Sequence, residues 1–375
     1  MHALQARAQG QLQTPQGQAQ FDTQWHMGLA APGLTRWQGQ WQQADVQWTS
    51  GPHRARAQLQ NPIAWQWDSA SAALRWEASR WHLQGPSPGQ ALLKVEPGDW
   101  TARVSGLPQA HLRAELSDLP LQWTQLLGAP ETQGDLQLQG TLALSLDEQL
   151  SLQARLQRSR GRLLVAAEGA TGAPVDAGIQ TAQAELRVQG QDAQLQLQWV
   201  TEQAGQLQAQ LHSQLALQNP SDLWPAQAPV SGRVTARLPR IGTWAWLAPP
   251  GWRVQGSLEA AVDITGTRAS PRWSGQLQAD NLAARSAVQG IEFSQGQLLA
   301  RLQEQSLVLE KFNIKGAGAQ GGDISGQGHI RWPTAPGTSA TLDDVQMALQ
   351  LTAKGLRVSN RADRRLTVSG QMEGR

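Results

Sequence analysis

The chain has 375 residues, enough for two or three ordinary domains or one repetitive architecture, and its 31 basic and 29 acidic side chains leave a net charge of +2. Charged residues make up 16%, against about 25% in an average globular protein, so uncharged polar side chains, chiefly Gln, must cover the surface. Zero Cys excludes disulfides, iron–sulfur clusters, thiol catalysis and cysteine-held zinc, and no Lys/Arg run supports a nucleic-acid partner.

The opening MHALQARAQGQLQTPQG lacks the charged and apolar regions of a signal peptide, and no window approaches the 18 apolar residues of a membrane-spanning helix. Residues 1–100 read as an N-terminal β-rich segment. There, Trp65 and Trp67 share one strand face, and the 17 Trp of the chain leave two readings open: packing, or an apolar groove lined with indoles. The first interruption comes at Leu119-Pro120, Trp123, Leu126, Leu127 and Pro130. It predicts a short amphipathic helix near 119–128, with Ser117-Asp118 as its cap. Alternation then dominates. Leu136, Leu138, Leu142, Leu144 and Leu146 have one parity, while Gln137, Gln139 and Ser145 have the other. Side chains of a strand alternate faces, so this pattern predicts a sheet with one apolar and one polar face, mostly antiparallel.

A second interruption at Leu238-Pro239, Trp244, Trp246, Leu247 and Pro249-Pro250 predicts another short helix near 241–248. Both helices are expected to plug part of the apolar sheet face through Trp123, Leu126, Leu127, Trp244 and Leu247. Alternation resumes with Val254, Leu258, Ala260, Val262 and Ile264. A tripeptide of an apolar residue, a small polar residue or Gln, and Gly recurs, as in Val104-Ser105-Gly106, Leu138-Gln139-Gly140, Val254-Gln255-Gly256, Val288-Gln289-Gly290 and Val368-Ser369-Gly370. Gly inside a strand marks a bulge, bend or close backbone approach. Its repetition points to a quasi-one-dimensional sheet that bends steadily. The chain divides on this pattern into the segment 1–100 and two repeat blocks, 101–230 and 231–375, each block with one short helix.

No constellation of catalytic residues stands out, and the chain is expected to be no enzyme and to need no cofactor or metal. The seven His are scattered without metal-ligand spacing, and there is no Walker loop or GxSxG elbow. The stretch Gly316 to Gly328 evokes a phosphate loop, which needs a helix after it. The next residues, His329-Ile330-Arg331-Trp332, read as a strand, so β-turns are expected there.

The segment GTRASPRWSGQLQADNL, Gly266 to Leu282, resembles the strand signature of the TamB family (the translocation and assembly module subunit) and the wider AsmA-like group. The stretch after it is similar to one repeat of that family. Gly290-Ile291 and Phe293 lead to alternating Leu298, Ala300 and Leu302, then Leu307, Leu309, Phe312 and Ile314, then Gly321-Gly322-Asp323-Ile324-Ser325-Gly326. The resemblance is clearest over about 231–375 and weaker over 100–220. It implies an all-β fold: an elongated, curled, mostly antiparallel sheet whose apolar face lines a groove. It further implies a periplasmic protein anchored in the inner membrane, conducting phospholipid to the outer membrane. An alternative role is a scaffold for outer-membrane protein assembly or secretion with an Omp85-type, TamA-like barrel partner. Leu136, Leu138, Leu142, Leu144, Val254, Leu258, Val262 and Ile264 are the candidates for contact with phospholipid acyl chains. On this resemblance the chain is an internal piece of such a protein, with the anchor, the membrane contact and the terminal domain outside it. Two rival β architectures fit less well. An outer-membrane barrel should carry aromatic girdles, and here Tyr is absent; a β-solenoid adhesin should carry asparagine ladders, and here Gln replaces Asn.

Overall fold

A computed structural model describes residues 4–14, 17–30, 35–103, 107–127, 132–165, 174–217, 222–247, 251–286, 290–316, 318, 321–332, 346–360 and 365–374. The chain is 76% strand, and of the 26 described strands 23 take part in the larger antiparallel pairing. The all-β class expected from the period-two alternation is therefore the one observed. Most successive passes of the chain pair with one another as in a meander, several passes being broken into two shorter strands. Two compact units emerge: the first is Met1–Leu163 with Gln183–Ala193 and Leu217–Leu223, and the second is Leu164–Ala182, Gln194–Ala216 and Trp224–Arg375.

In the first unit, Leu4–Thr14 pairs with Gly17–Leu29 and that strand with Arg36–Ser50. The next three passes are each broken in two. His53–Leu59 and Ile63–Asp68 run along Arg36–Ser50; Ser79–Gln84 and Ala73–Trp76 come next, then Ala91–Val95 and Gly98–Thr101. Gln109–Pro120, Gln137–Leu146, Leu150–Arg160 and residues 183–189 complete the series. The second unit runs in the same way from Gln206–Gln214 and Val230–Leu238 through Trp252–Gly266, Pro271–Ser286, Ile291–Glu304 and Ser306–Lys315. Asp323–Arg331, Gln346–Asn360 and Arg365–Gly374 close it.

The alternation does not run unbroken along these strands. Register shifts mark β-bulges, each of which adds one residue to one strand and reverses the parity of the residues beyond it. In Pro271–Ser286 the inward residues are Leu277 and Ala279 before the bulge, and Leu282, Ala284 and Ser286 after it. Asn281 at that bulge has φ 52°, and Gln295 in the next strand has φ 51°. Asp118, at φ 58°, sits at a similar shift between Leu116 and Leu119. Ser117-Asp118 is thus no helix cap, correcting the expectation. Aspartate suits both a cap and a left-handed bulge position, because its short side chain can bond locally, and here the strand continues to Pro120. Both predicted helices exist as seven-residue 3-10 turns, Leu121–Leu127 and Ile241–Leu247. Pro130 and Pro249-Pro250, expected to close them, lie outside the described residues, as do Val104-Ser105-Gly106 and Val288-Gln289. Of the stretch Gly316 to Gly328 expected as β-turns, the Gly321 amide donates to the Gly318 carbonyl at 3.0 Å, but from Asp323 the chain is already strand, which corrects the expectation for Asp323 to Gly328.

Buried side chains are small or only nearly enclosed. Ala300 is 1% exposed, Leu136 2% and Ala279 4%, and among the described residues no large side chain falls below 2%. A protein interior covered by a second layer would enclose many.

Candidate functional site: the apolar sheet face

Cross-strand register gathers the apolar residues of the first unit into rows. Leu112, Leu144, Leu152 and Val188 face one another in sequence, and the next row is Ala114, Leu142, Ala154 and Leu186. A third contains Leu116, Gly140, Leu156 and Ala184. A fourth begins Leu119, Leu138 and then turns polar at Arg158. Leu136 and Leu138 are buried, while Leu142 and Leu144 are half-buried. Leu138, Leu142 and Leu144 therefore lie along one sheet face, and Leu136 is buried just before the strand begins.

On the same unit, Trp37, Trp67, Leu74 and Trp100 form one row, and Gly39, Trp65, Trp76 and Gly98 the next. Trp100 then opposes Ala110, which opposes Leu146, so the indole-lined strands lead into the leucine-lined ones. Trp67 and Trp100 stack with ring centroids 6.4 Å apart. Each row pairs bulk with emptiness. A Cβ built on Gly39 would lie 2.6 Å from the Trp65 ring, so that indole rests flat on bare backbone. Gly98 stands in the same relation to Trp76. Such aromatic cover of glycine restores the packing a strand glycine lacks.

In the second unit the rows are Leu238, Leu258, Ala279, Leu298 and Phe312; then Ala236, Ala260, Leu277, Ala300 and Leu309; then Val234, Val262, Gly275, Leu302 and Leu307. Gly232, Ile264 and Trp273 continue the series. Ile264 is buried; Val254, Leu258 and Val262 are half-buried. Val254 lies beyond the bulges, opposite Ala284, which in turn opposes Phe293.

The two short helices are held alike. The Trp123 Nε1 donates to the Ser87 carbonyl at 3.3 Å, and its ring lies against Gly85. The Trp244 Nε1 donates to the Ala204 carbonyl at 2.9 Å, and its helix packs against Trp252–Gly266 at Gly242. Each indole thus satisfies its one donor on a loop of its own unit. Trp123 is buried and Leu126 half-buried, while the side chain of Leu127 lies outside the described residues. The side chain of Leu247 lies outside the described residues, as does that of Trp246.

The opposite face is polar and ion-paired. Arg233 meets Asp263 at 2.9 Å, Arg237 meets Glu259 at 3.0 Å and Arg301 meets Glu310 at 2.9 Å. In the first unit, hydrogen bonds from Gln153, Arg187 and Arg155 pull the Glu185 carboxyl down to about 2. One cluster escaped sequence reasoning because its members are far apart in the chain. His111 lies between Asp99, 3.1 Å from Nδ1, and Asp147, 3.2 Å from Nε2, and these carboxylates, Asp147 first, raise its pKa. They grip opposite edges of the ring and do not converge on a point. Among the described residues no group of three His, Asp or Glu side chains could hold a metal, and no helix is long and apolar enough to cross a membrane. Chemically, one face of each unit can hold hydrocarbon while the other holds water.

Residues 310–374 match the family model described as the TamB C-terminal domain. No curated protein and no solved structure matches the chain. The match, over that stretch, supports a TamB-like identity, and the TamB family is a transport and assembly component of the cell envelope. It also corrects one expectation. Sequence of the terminal domain, expected to lie outside the chain, occupies its last strands, Gln346–Asn360 and Arg365–Gly374 among them.

Proposed function

We propose that this TamB-like chain carries phospholipid acyl chains on its apolar sheet faces, as part of a periplasmic conduit between inner and outer membrane, without catalytic residues. The observation that carries this is the half-exposed state of the rows. Leu142, Leu144, Leu258 and Val262 line up strand after strand, yet remain partly open to solvent, where a covered core would enclose them. Burying each CH₂ is worth about 0.8 kcal/mol, so two acyl chains with roughly thirty CH₂ groups oppose aqueous transit by on the order of 25 kcal/mol. An apolar face lowers that cost with no chemistry at all. Leu136, Leu138, Leu142 and Leu144 would serve the first unit, and Val254, Leu258, Val262 and Ile264 the second. The blocks 101–230 and 231–375 would each contribute one helix, Trp123, Leu126 and Leu127 in one and Trp244 and Leu247 in the other, closing part of the track.

A second reading, a scaffold for outer-membrane protein assembly with an Omp85-type, TamA-like barrel, draws on a different feature. In Arg365–Gly374, inside the matched residues, Leu366, Val368 and Met372 are 55%, 41% and 63% exposed. An apolar strand with such residues outward is suited to pairing with another strand.

The test places charge on the apolar face. Leu142→Glu and Leu258→Glu in the full chain should abolish photo-crosslinking to a phospholipid with a photoreactive acyl chain. A passing acyl chain has no route around the charge, while an open face lets Glu reach water and keeps the folding cost moderate. Thr141→Glu and Ala261→Glu, on the opposite face, should crosslink as wild type. Equal crosslinking by all four folded variants would leave the apolar face as mere packing and move the scaffold reading ahead.

A further inference from the structure

The polar face of the first unit carries a ladder. Gln11 opposes Gln20, Gln20 opposes Gln47, Gln47 opposes Arg56 and Arg56 opposes Gln84, so one rung stands on each of five passes. The next row along, Gly10, Phe21, Val46, Ala57 and Leu83, faces the other way. Two residues from the ladder, on its own face, stand Gln9, Asp22, Asp45 and Gln58. Asp22 and Asp45 are directly opposed, which would repel if they stood bare. Each is instead matched by an arginine and an amide. The Arg7 Nε donates to Asp22 Oδ1 at 2.9 Å and the Gln9 Nε2 to Oδ2 at 3.1 Å. The Arg56 Nε donates to Asp45 Oδ1 at 2.9 Å and the Gln58 Nε2 to Oδ2 at 3.1 Å. The four formal charges cancel. Both rows contribute to the walls of a trough of about 630 Å³, as does Gln43. The side chains of Gln20, Gln43 and Gln47 are exposed there and, among the described residues, have no hydrogen-bond partner.

We infer that this trough binds an uncharged, β-1,4-linked glycan chain lying across the strands, one sugar to each rung. A carboxamide offers two donors and two acceptors, the complement of a hydroxyl that can do either. The rungs recur at the strand spacing of about 4.8 Å, close to the advance of one pyranose ring along an extended β-1,4 chain. Five rungs cover about 19 Å, so the trough fits a short run of sugars rather than a single one. With its charges cancelled, the trough has no net field to draw in a phosphate or an acidic peptide, and a neutral polyhydroxyl chain meets no opposing charge. The surface concerned is the one that the acyl-chain reading leaves to water, so neither reading depends on the other.

The experiment titrates the full chain in a calorimeter with β-1,4-linked oligomers of N-acetylglucosamine. Affinity should rise from the dimer to the pentamer and then level off, because the rungs number five. Maltopentaose, whose α-1,4 linkage curls the chain away from a straight ladder, should bind about tenfold more weakly than the pentamer, the loss of one to two net hydrogen bonds. Gln20→Ala and Gln47→Ala, both exposed changes, should each weaken the pentamer about fivefold, the factor of one net hydrogen bond, with the urea midpoint unmoved. Gln139→Ala, at an exposed glutamine outside the trough, should bind as wild type. No heat from any β-1,4 oligomer, or equal binding by Gln20→Ala and wild type, overturns the inference. Equal affinity for maltopentaose also overturns it, since the spacing of the rungs would then play no part. Phosphatidylglycerol vesicles bound in place of glycan, and released by the Gln20→Ala/Gln47→Ala variant, would make the trough a membrane contact and overturn it likewise.

Discussion

The indole-lined strands of the first unit and the bulged strands of the second solve one problem in two ways. Strands lie about 4.8 Å apart, so large side chains on one face must find room between them. Between Arg36–Ser50 and Gly98–Thr101 the room comes from composition: Trp65 and Trp76 lie over Gly39 and Gly98. Between Trp252–Gly266 and Ser306–Lys315 it comes from the backbone. Bulges at Asn281 and Gln295 reset the parity, so that Leu282 and Phe293 face the same side as Ala279 and Leu298. The first solution is sensitive to side-chain volume, the second to backbone conformation, and substitutions should separate them.

The largest effect belongs to the first. Gly39→Val forces a branched side chain into the Trp65 ring and should lower stability by about 2–3 kcal/mol in urea unfolding. Adding Trp65→Ala should return only part of that loss, since it relieves the ring contact and leaves the one with the His26 carbonyl; strict additivity of the two would show that the ring contributes nothing to the loss. An intermediate effect belongs to the second unit. Asn281→Val places a branched residue at φ 52° and should cost about 1–2 kcal/mol, whereas Asn281→Gly should be neutral or slightly stabilising. A large loss in the glycine variant would mean that the asparagine side chain, not the backbone, holds the bulge.

The smallest effect concerns the polar face. His111 has its pKa raised above the ordinary 6.5 by Asp147 and Asp99, so its contribution is complete below that value and is lost as pH rises through the folded one. The pair is largely exposed, so the change should be slight. The urea midpoint should fall between about pH 5.5 and about pH 8.5 more in wild type than in His111→Gln. Parallel pH curves for the two proteins would assign the decline to other groups.

The alternation made the sheet legible. Leu138, Leu142 and Leu144 share a strand face, as do Leu258, Val262 and Ile264, because side chains alternate along a strand. The two helices were legible through Pro and Trp at the ends of runs. Bulges were not, since Asn281 and Gln295 look like any polar residue between apolar ones and only pairing reveals the extra residue. Ser117-Asp118 failed for a related reason: the residue types of a helix cap are those that tolerate a left-handed bulge. The indole-on-glycine contacts were half visible, in that both residue types are abundant, but which Trp meets which Gly depends on register. Arg158 shares the parity of Leu156 and was open to sequence reasoning, yet a single arginine in a Gln-rich chain draws no notice until Leu138 is found opposite it.

The meander has a consequence for how such a chain can change length. Each strand depends on the strands before and after it, so excising two consecutive strands brings together two edges that run in compatible directions. Excising one strand would instead set two parallel edges side by side, with the wrong hydrogen-bond pattern. Track length is therefore quantised in hairpins of about 9.6 Å, twice the spacing between strands. Evolution can lengthen or shorten the apolar face in those steps without redesigning either end.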